Sequence, residues 1–282
     1  PVEMIDHVEM IDHVEQALER AVSDGVRDLV VQPTFLMRGM EYDELRKVLE
    51  GCEGEFDSVR IAAPLLGDVS RTEDDSAGGH SGMDDVANGD RSDMADEDVK
   101  IEASNDDMTV VADAVVADAV VAAAVEAAGY ESAAAAARDG IAMVFIGHGT
   151  SHTAKVAYSR LQAQMMDLGY ENAFIGTLEG EPESTGAEAV LRAVSEAGYR
   201  GVMLRPLMVA VGKHAYRDVA GENDDSWRSR FEASGLFERV EVQLEGMGRI
   251  PVVIALYLAH TAAAITCQKR KMKKTEVIQR AN

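Results

Sequence analysis

Three side chains that bind divalent cations stand just past apolar, strand-like runs. His148 lies in Gly147-His-Gly-Thr150, directly after Ile141-Ala-Met-Val-Phe-Ile146. Glu179 lies in Gly176-Thr-Leu-Glu-Gly180, and His214 in Val211-Gly-Lys-His-Ala215. Two imidazoles and one carboxylate suit a borderline divalent ion such as Co2+, Ni2+, Zn2+ or Fe2+. No thiolate stands nearby, so a closed structural zinc site is not expected. Taken singly, each residue has an ordinary reading: a turn histidine, a loop carboxylate, a surface histidine. The reading rests on three such groups sharing one kind of position, since spacing alone does not make distant residues converge. Glycines beside His148 permit a tight turn and a close approach of backbone to ligand.

Other residues compete. His152, four past His148, offers a rival pair, but His148 precedes the predicted helix, so an i, i+4 geometry is doubtful. His260 falls in an apolar helical run and reads as structural. Arg205 and Lys213 flank the loops; they read equally as contacts for substrate carboxylates or as solvated charges. The chain lacks a Gly-x-x-x-x-Gly-Lys-Ser/Thr phosphate loop, a Gly-x-Gly-x-x-Gly fingerprint and a Gly-x-Ser-x-Gly elbow.

The elements that must position these groups alternate. Helix is expected to about Ser23, about Tyr42 to Leu49, Val110 to Ala128, Thr153 to Leu168, Glu188 to Glu196 and Trp227 to Ser234. Strand is expected at Leu29–Val31, Val59–Leu65, Ile141–Ile146, Ala173–Gly176, Gly201–Leu204 and Val240–Leu244. Such alternation with short turns indicates an α/β fold of two similar halves with mainly parallel sheets. An internal repeat supports the two halves. Leu29-Val-Val-Gln-Pro33 resembles Val202-Met-Leu-Arg-Pro206; six residues past each Pro stand Gly39 and Gly212, and two further Glu41 and His214. Loops leaving the carboxyl ends of parallel strands build sites, so Glu41 and His214 are expected on equivalent loops of one cleft.

The 282-residue chain is 46% hydrophobic, and its formal charge of −23 argues against a nucleic-acid partner. Residues 68–107 hold 14 Asp or Glu against three Lys or Arg and read as an acidic disordered insertion. The expected organisation is a partial N-terminal half over 1–67, that insertion, a C-terminal half with the metal site over 108–264, whose first helix packs on the other half, and a basic, frayed tail over 265–282. Residues 3–8 and 9–14 duplicate Glu-Met-Ile-Asp-His-Val; this local duplication gives His7 and His13 no role. Cys52 and Cys267 match no metal or redox spacing. Neither a membrane span nor a signal peptide is visible, and a cytoplasmic location is expected. The chain opens on Pro1, which reads as a processed or truncated start.

Val144-Phe-Ile-Gly-His-Gly-Thr-Ser-His152 resembles the strand-and-turn motif of the anaerobic sirohydrochlorin cobalt chelatase family of cobalamin biosynthesis. Phe174-Ile-Gly-Thr-Leu-Glu-Gly180, Leu204-Arg-Pro-Leu-Met-Val-Ala-Val-Gly-Lys-His214 and Asp218-Val-Ala-Gly-Glu-Asn-Asp-Asp-Ser-Trp227 are similar to its next three. The resemblance covers 141–260 most closely, and 15–66 through Gln32-Pro-Thr-Phe-Leu-Met-Arg-Gly-Met-Glu-Tyr42. It implies a class II chelatase fold with a tetrapyrrole between two α/β halves. His148, Glu179 and His214 are then the metal ligands, His148 also the proton acceptor, and Glu41 a neighbour from the other half. It implies sirohydrochlorin and a divalent ion, Co2+ first, as partners, no cofactor beyond that ion, and room for a homo-oligomer. Fe2+ or Ni2+ insertion and a non-catalytic metal- or tetrapyrrole-binding role remain alternatives. This chain departs from the pattern at its start, where an opening strand and helix are expected to be missing, in its acidic insertion, and in its tail after about Ala264.

Overall fold

The computed structural model describes residues 13–66 and 107–281. The duplicated N-terminal hexapeptide (bar its last two residues) and the acidic insertion (bar Asp107) lie outside them. The first half runs α1 (Val14–Ser23), β1 (Asp28–Val31), α2 (Met40–Gly51) and β2 (Ser58–Ile61). The second runs α3 (Asp107–Ala127), α4 (Ala133–Arg138), β3 (Ile141–Gly147), α5 (Val156–Asp167), β4 (Ala173–Thr177), α6 (Ala187–Glu196), β5 (Gly201–Pro206), α7 (Trp227–Ala233), β6 (Arg239–Val242) and α8 (Pro251–Ala281). The two described sheets are parallel, β1-β2 and β4-β3-β5-β6. The α/β reading with two halves therefore holds.

Strand β3 shows why the second half folds this way. All seven of its residues are buried. Met143 and Phe145 join a core built with α3, α5 and α8, while Ala142, Val144 and Ile146 join one built with α6 and α7. Alternate side chains of a strand point to opposite faces, so a continuous apolar run needs cover on both. In the first half, Leu45, Leu49, Val59 and Ile61 form a third, smaller core.

Elements end where local chemistry stops them. Ser132 caps α4 by accepting from the Ala135 N–H at 3.1 Å. Gly25 closes α1 at φ +74°, a conformation glycine adopts without steric cost. Strand β2 ends at Ile61 rather than Leu65, as Pro64 has no N–H to give a ladder. The edge of β4 is closed by a side chain: Gln162 donates to the Ala173 carbonyl and accepts from the Ile175 N–H, both at 2.8 Å.

The end of the chain differs from expectation. The backbone stays helical to Ala281, where a frayed tail was expected from Ala264 onward. Residues 267–281 contain neither Gly nor Pro and are rich in Lys, Arg and Gln, which are good helix formers. Helix α8 also joins the halves. Tyr257 donates to the Phe35 carbonyl at 3.1 Å, Thr261 to Gln32 Oε1 at 2.8 Å, and Arg60 to the Ala264 carbonyl at 3.2 Å. Met37, Leu65 and Leu66 of the first half sit in one core with Val116 and Val120 of α3, so α3 also meets the other half.

His260 is structural, as its apolar surroundings implied. It is 2% exposed, and its Nδ1 has no partner. Burial pulls its pKa below the ordinary value, partly opposed by the Ala63 and Pro64 carbonyls. The folded state therefore holds this ring neutral, and a proton favours the unfolded chain. Stability linked to His260 is present above the ordinary value of 6.5 and is lost as pH falls through the lowered one. The melting temperature of the protein should fall more steeply between about pH 7 and about pH 5 than that of His260→Leu, read by circular dichroism.

Candidate metal centre

The register of three neighbouring strands brings the candidate residues together. Gly147 pairs with Thr177, and Ile146 with Pro206, so β4, β3 and β5 end at one level. The chain leaves β3 toward β4 on one side and then crosses to β5 on the other, which opens a crevice beyond the strand ends. His148 leaves the middle strand. Glu179 leaves one neighbour and His214 follows the other.

The groups meet. His148 Nδ1 lies 3.3 Å from Glu179 Oε1. The His148 and His214 rings stand edge to face, with centroids 5.0 Å apart. Exposure of the three side chains is 48%, 48% and 53%, so they face an open cleft. Among the described residues, no three His, Cys, Asp or Glu side chains form a ready-made cage for an ion. The contacts say why: each ring turns Nδ1 to a carboxylate, His148 to Glu179 and His214 to Asp218 at 2.8 Å. A carboxylate only accepts, so these contacts call for the hydrogen on Nδ1, and in a neutral ring that leaves the Nε2 lone pair for a cation. Glu179 must swing from His148 to share an ion with the rings.

Backbone contacts hold the loops. The Leu178 N–H donates to the Gly147 carbonyl, and the Glu179 N–H to the His148 carbonyl, both at 3.0 Å. Gly149, at φ +91°, lets this happen; a Cβ there would lie 3.0 Å from Glu179 Cβ. Tyr158 on α5 supports the turn from below. Its hydroxyl accepts the Gly149 N–H at 3.0 Å, and its ring fills the space a Cβ on Gly147 would need, 2.5 Å away. Burial pushes the Tyr158 pKa up to about 12; the Gly149 N–H opposes this, while Glu179 and Glu41 add to it. The phenol thus stays protonated.

Glu41 sits in the first turn of α2, next to its N-cap Gly39, and lines a cavity of about 190 Å3 with His148, Thr150, Tyr158 and Leu207. This cavity lies between the halves, and the internal repeat was right to bring Glu41 toward the same cleft. A larger hollow, about 920 Å3, lies between α3 and the start of α8, with five alanines in its lining and no histidine. His148 and Glu41 line the smaller cavity instead.

Arg205 departs from both of its readings, while the doubt over a His148–His152 pair holds. His152 does not point to His148 as a ligand pair. Its Nδ1 accepts the Ala154 N–H at 3.1 Å, capping a short turn, and its Nε2 faces Asp43 of the first half at 3.4 Å. Arg205 is 3% exposed and donates to Gln243 at 2.8 Å and Glu245 at 3.2 Å, so it is spent inside the protein rather than held out for a substrate carboxylate. Lys213 is exposed, beside His214. Sequence reasoning missed Tyr158, whose helical position carries no signal, and Asp218, whose signal was its place four residues after His214.

The acidic turn after His214 is a brace. Ser226 Oγ donates to the Gly221 carbonyl at 2.6 Å and caps α7 by accepting from the Ser229 N–H at 3.1 Å. Trp227 packs over Gly176, where a Cβ would meet its ring at 2.3 Å. Arg217, with His214 adding to it, holds the Asp218 carboxyl below the usual carboxylate range.

Comparison with known proteins places the chain in a family. The family model described as cobalt chelatase (CbiK) matches residues 3–95 and 121–266. A sirohydrochlorin cobaltochelatase of Salmonella typhimurium is 25% identical over 250 residues, covering 89% of this chain and 73% of that protein. The sirohydrochlorin cobaltochelatase CbiKC of Nitratidesulfovibrio vulgaris is 38% identical over 125 residues, covering 44% of this chain and 42% of that protein. The crystal structure of a CbiX protein of cobalamin biosynthesis from Marinobacter aquaeolei is 21% identical, with TM-score 0.33, covering 49% of this chain and 98% of that one.

Tyr158→Phe keeps the ring that fills the space beside Gly147 but leaves the Gly149 N–H without its acceptor. It should cost about 1–3 kcal/mol of stability in urea unfolding, the penalty of an unpaired buried donor.

Proposed function

We propose, on the premise that this chain belongs to the cobalt chelatase (CbiK) family, that it is a sirohydrochlorin cobaltochelatase, inserting Co2+ into sirohydrochlorin for cobalamin biosynthesis. The observation that carries this reading is the meeting of His148, Glu179 and His214 at three adjacent strand exits, across a cleft from Glu41. Their half-exposed side chains fit a macrocycle that lies across the cleft mouth rather than inside a closed pocket.

The reaction exchanges two pyrrole N–H protons for one divalent cation. The two imidazoles, through Nε2, and the Glu179 carboxylate hold the incoming cation. Glu41, Glu179, Asp43 and Asp218 give the cleft a negative potential that draws cations to it. His148 takes a pyrrole proton on Nε2 once the cation has left that nitrogen for the macrocycle; an imidazole, with a reference pKa of ~6.5, suits a group that accepts and releases protons at neutral pH. Glu41 faces the same space from the first half and takes part in the proton transfer. Proton exchange balances the reaction, so it consumes neither ATP nor a redox cofactor. The reading includes a cytoplasmic home and no nucleic-acid partner.

Two imidazoles and a carboxylate also accept Fe2+ and Ni2+. One absorbance time course with sirohydrochlorin and Co2+, repeated with Fe2+ and Ni2+, tests the proposal. Turnover beyond one macrocycle per chain, fastest with Co2+, is expected; at most one metallated macrocycle per chain would mark a binding protein instead. His148→Ala should lower the rate by roughly 10²–10⁴-fold, the usual weight of a general base. An unchanged rate removes His148 from that role.

A further inference from the structure

We propose that Asp218, clamped by Arg217, is a positioning residue that fixes the His214 ring with Nε2 aimed at the cation. The inference rests on the reading of His214 as a metal ligand. Asp218 Oδ2 stands 2.8 Å from His214 Nδ1. Arg217 donates from Nε to Asp218 Oδ1 at 2.6 Å and from Nη2 to Oδ2 at 3.0 Å. That two-pronged grip fixes the plane of the carboxylate, and the carboxylate in turn fixes the tautomer and the swing of the ring.

The backbone is shaped for this grip. His214 caps a five-residue π-helical turn, Ala215–Val219, a wound form that is rare and concentrates at functional sites. The turn is held firmly from beneath. Ala215 and Val219 are fully buried, and Gly221 has no space for a side chain, since a Cβ would lie 2.2 Å from the Arg217 carbonyl. Ser226, also fully buried, ties Gly221 to the start of α7. The Arg217 and His214 side chains are more than half exposed, at 56% and 53%. Exposed ion pairs add little to folding. An anchored turn whose largely buried Asp218 joins two exposed side chains therefore acts on ring orientation more than on stability.

The test uses the full-length protein and Co2+ alone, followed by the visible absorbance of the bound ion, together with steady-state insertion kinetics. Asp218→Ala should weaken Co2+ binding and raise the KM for Co2+ by roughly 10-fold or more, the usual effect of removing such an outer partner. The KM for the tetrapyrrole should stay within about two-fold, since the change acts on the ring and not on the macrocycle. Asp218→Glu should recover part of the loss, and Asp218→Ala should add nothing further in a His214→Ala background. Arg217→Ala, which removes only the clamp, should shift the KM for Co2+ the same way by a smaller factor. If His214→Ala weakens Co2+ binding and Asp218→Ala does not, the positioning role is overturned. If His214→Ala leaves Co2+ binding unchanged, the ligand reading fails and this inference with it.

Discussion

Parallel pairing around β3 is the constraint on which the centre depends. Because β4 and β5 flank it in register, their last residues finish at one height, and whatever follows each strand is delivered to one place. The order of the strands decides which residues become neighbours: His148, in the middle, touches both others, with Glu179 at 3.3 Å and the His214 ring at 5.0 Å between centroids. The long-range ladder thus does what local spacing cannot, since 31 and 35 residues separate the members of this set in the chain.

Much of this was legible in the sequence. The buried run at Ile141–Ile146 could only be a strand covered on both faces, and glycine on both sides of His148 announced a tight exit. The repeat of strand, proline, glycine and polar residue put Glu41 and His214 on equivalent loops; in the structure Glu41 stands in the first turn of α2 and His214 caps the Ala215–Val219 turn. What escaped were partnerships set by tertiary contact. His152 offered only a doubtful pair with His148, and spacing gave no hint of its real neighbour, Asp43, more than a hundred residues earlier. Arg205 looked available because it precedes a site loop, yet alternation on β5 turns it toward Gln243 and Glu245. Tyr158 had no distinguishing pattern at all. Its importance comes from a glycine on another element with no room for a side chain.

Glycines and one tryptophan link the fold to the chemistry. Gly147, Gly149 and Gly176 each mark a spot where another group comes closer than a Cβ would allow: the Tyr158 ring, the Glu179 loop and Trp227. Those approaches draw the exits of β3 and β4 together and seat α7 beneath the turn that carries His214. The centre is therefore exposed at its tips and rigid at its roots.

Helix α8 has a bearing on how the molecule comes into being. Its bonds to Gln32 and Phe35 span 229 and 222 residues. During synthesis, the short sheet of β1 and β2 can gather its own small core early, but these bonds wait until more than two hundred further residues have been made. Contacts of such long separation slow folding, because a large loop must close before they form. The two walls of the cleft are thus joined by contacts of long separation, and a chain cut before α8 would lose the bonds that α8 makes to Gln32, Phe35 and Arg60.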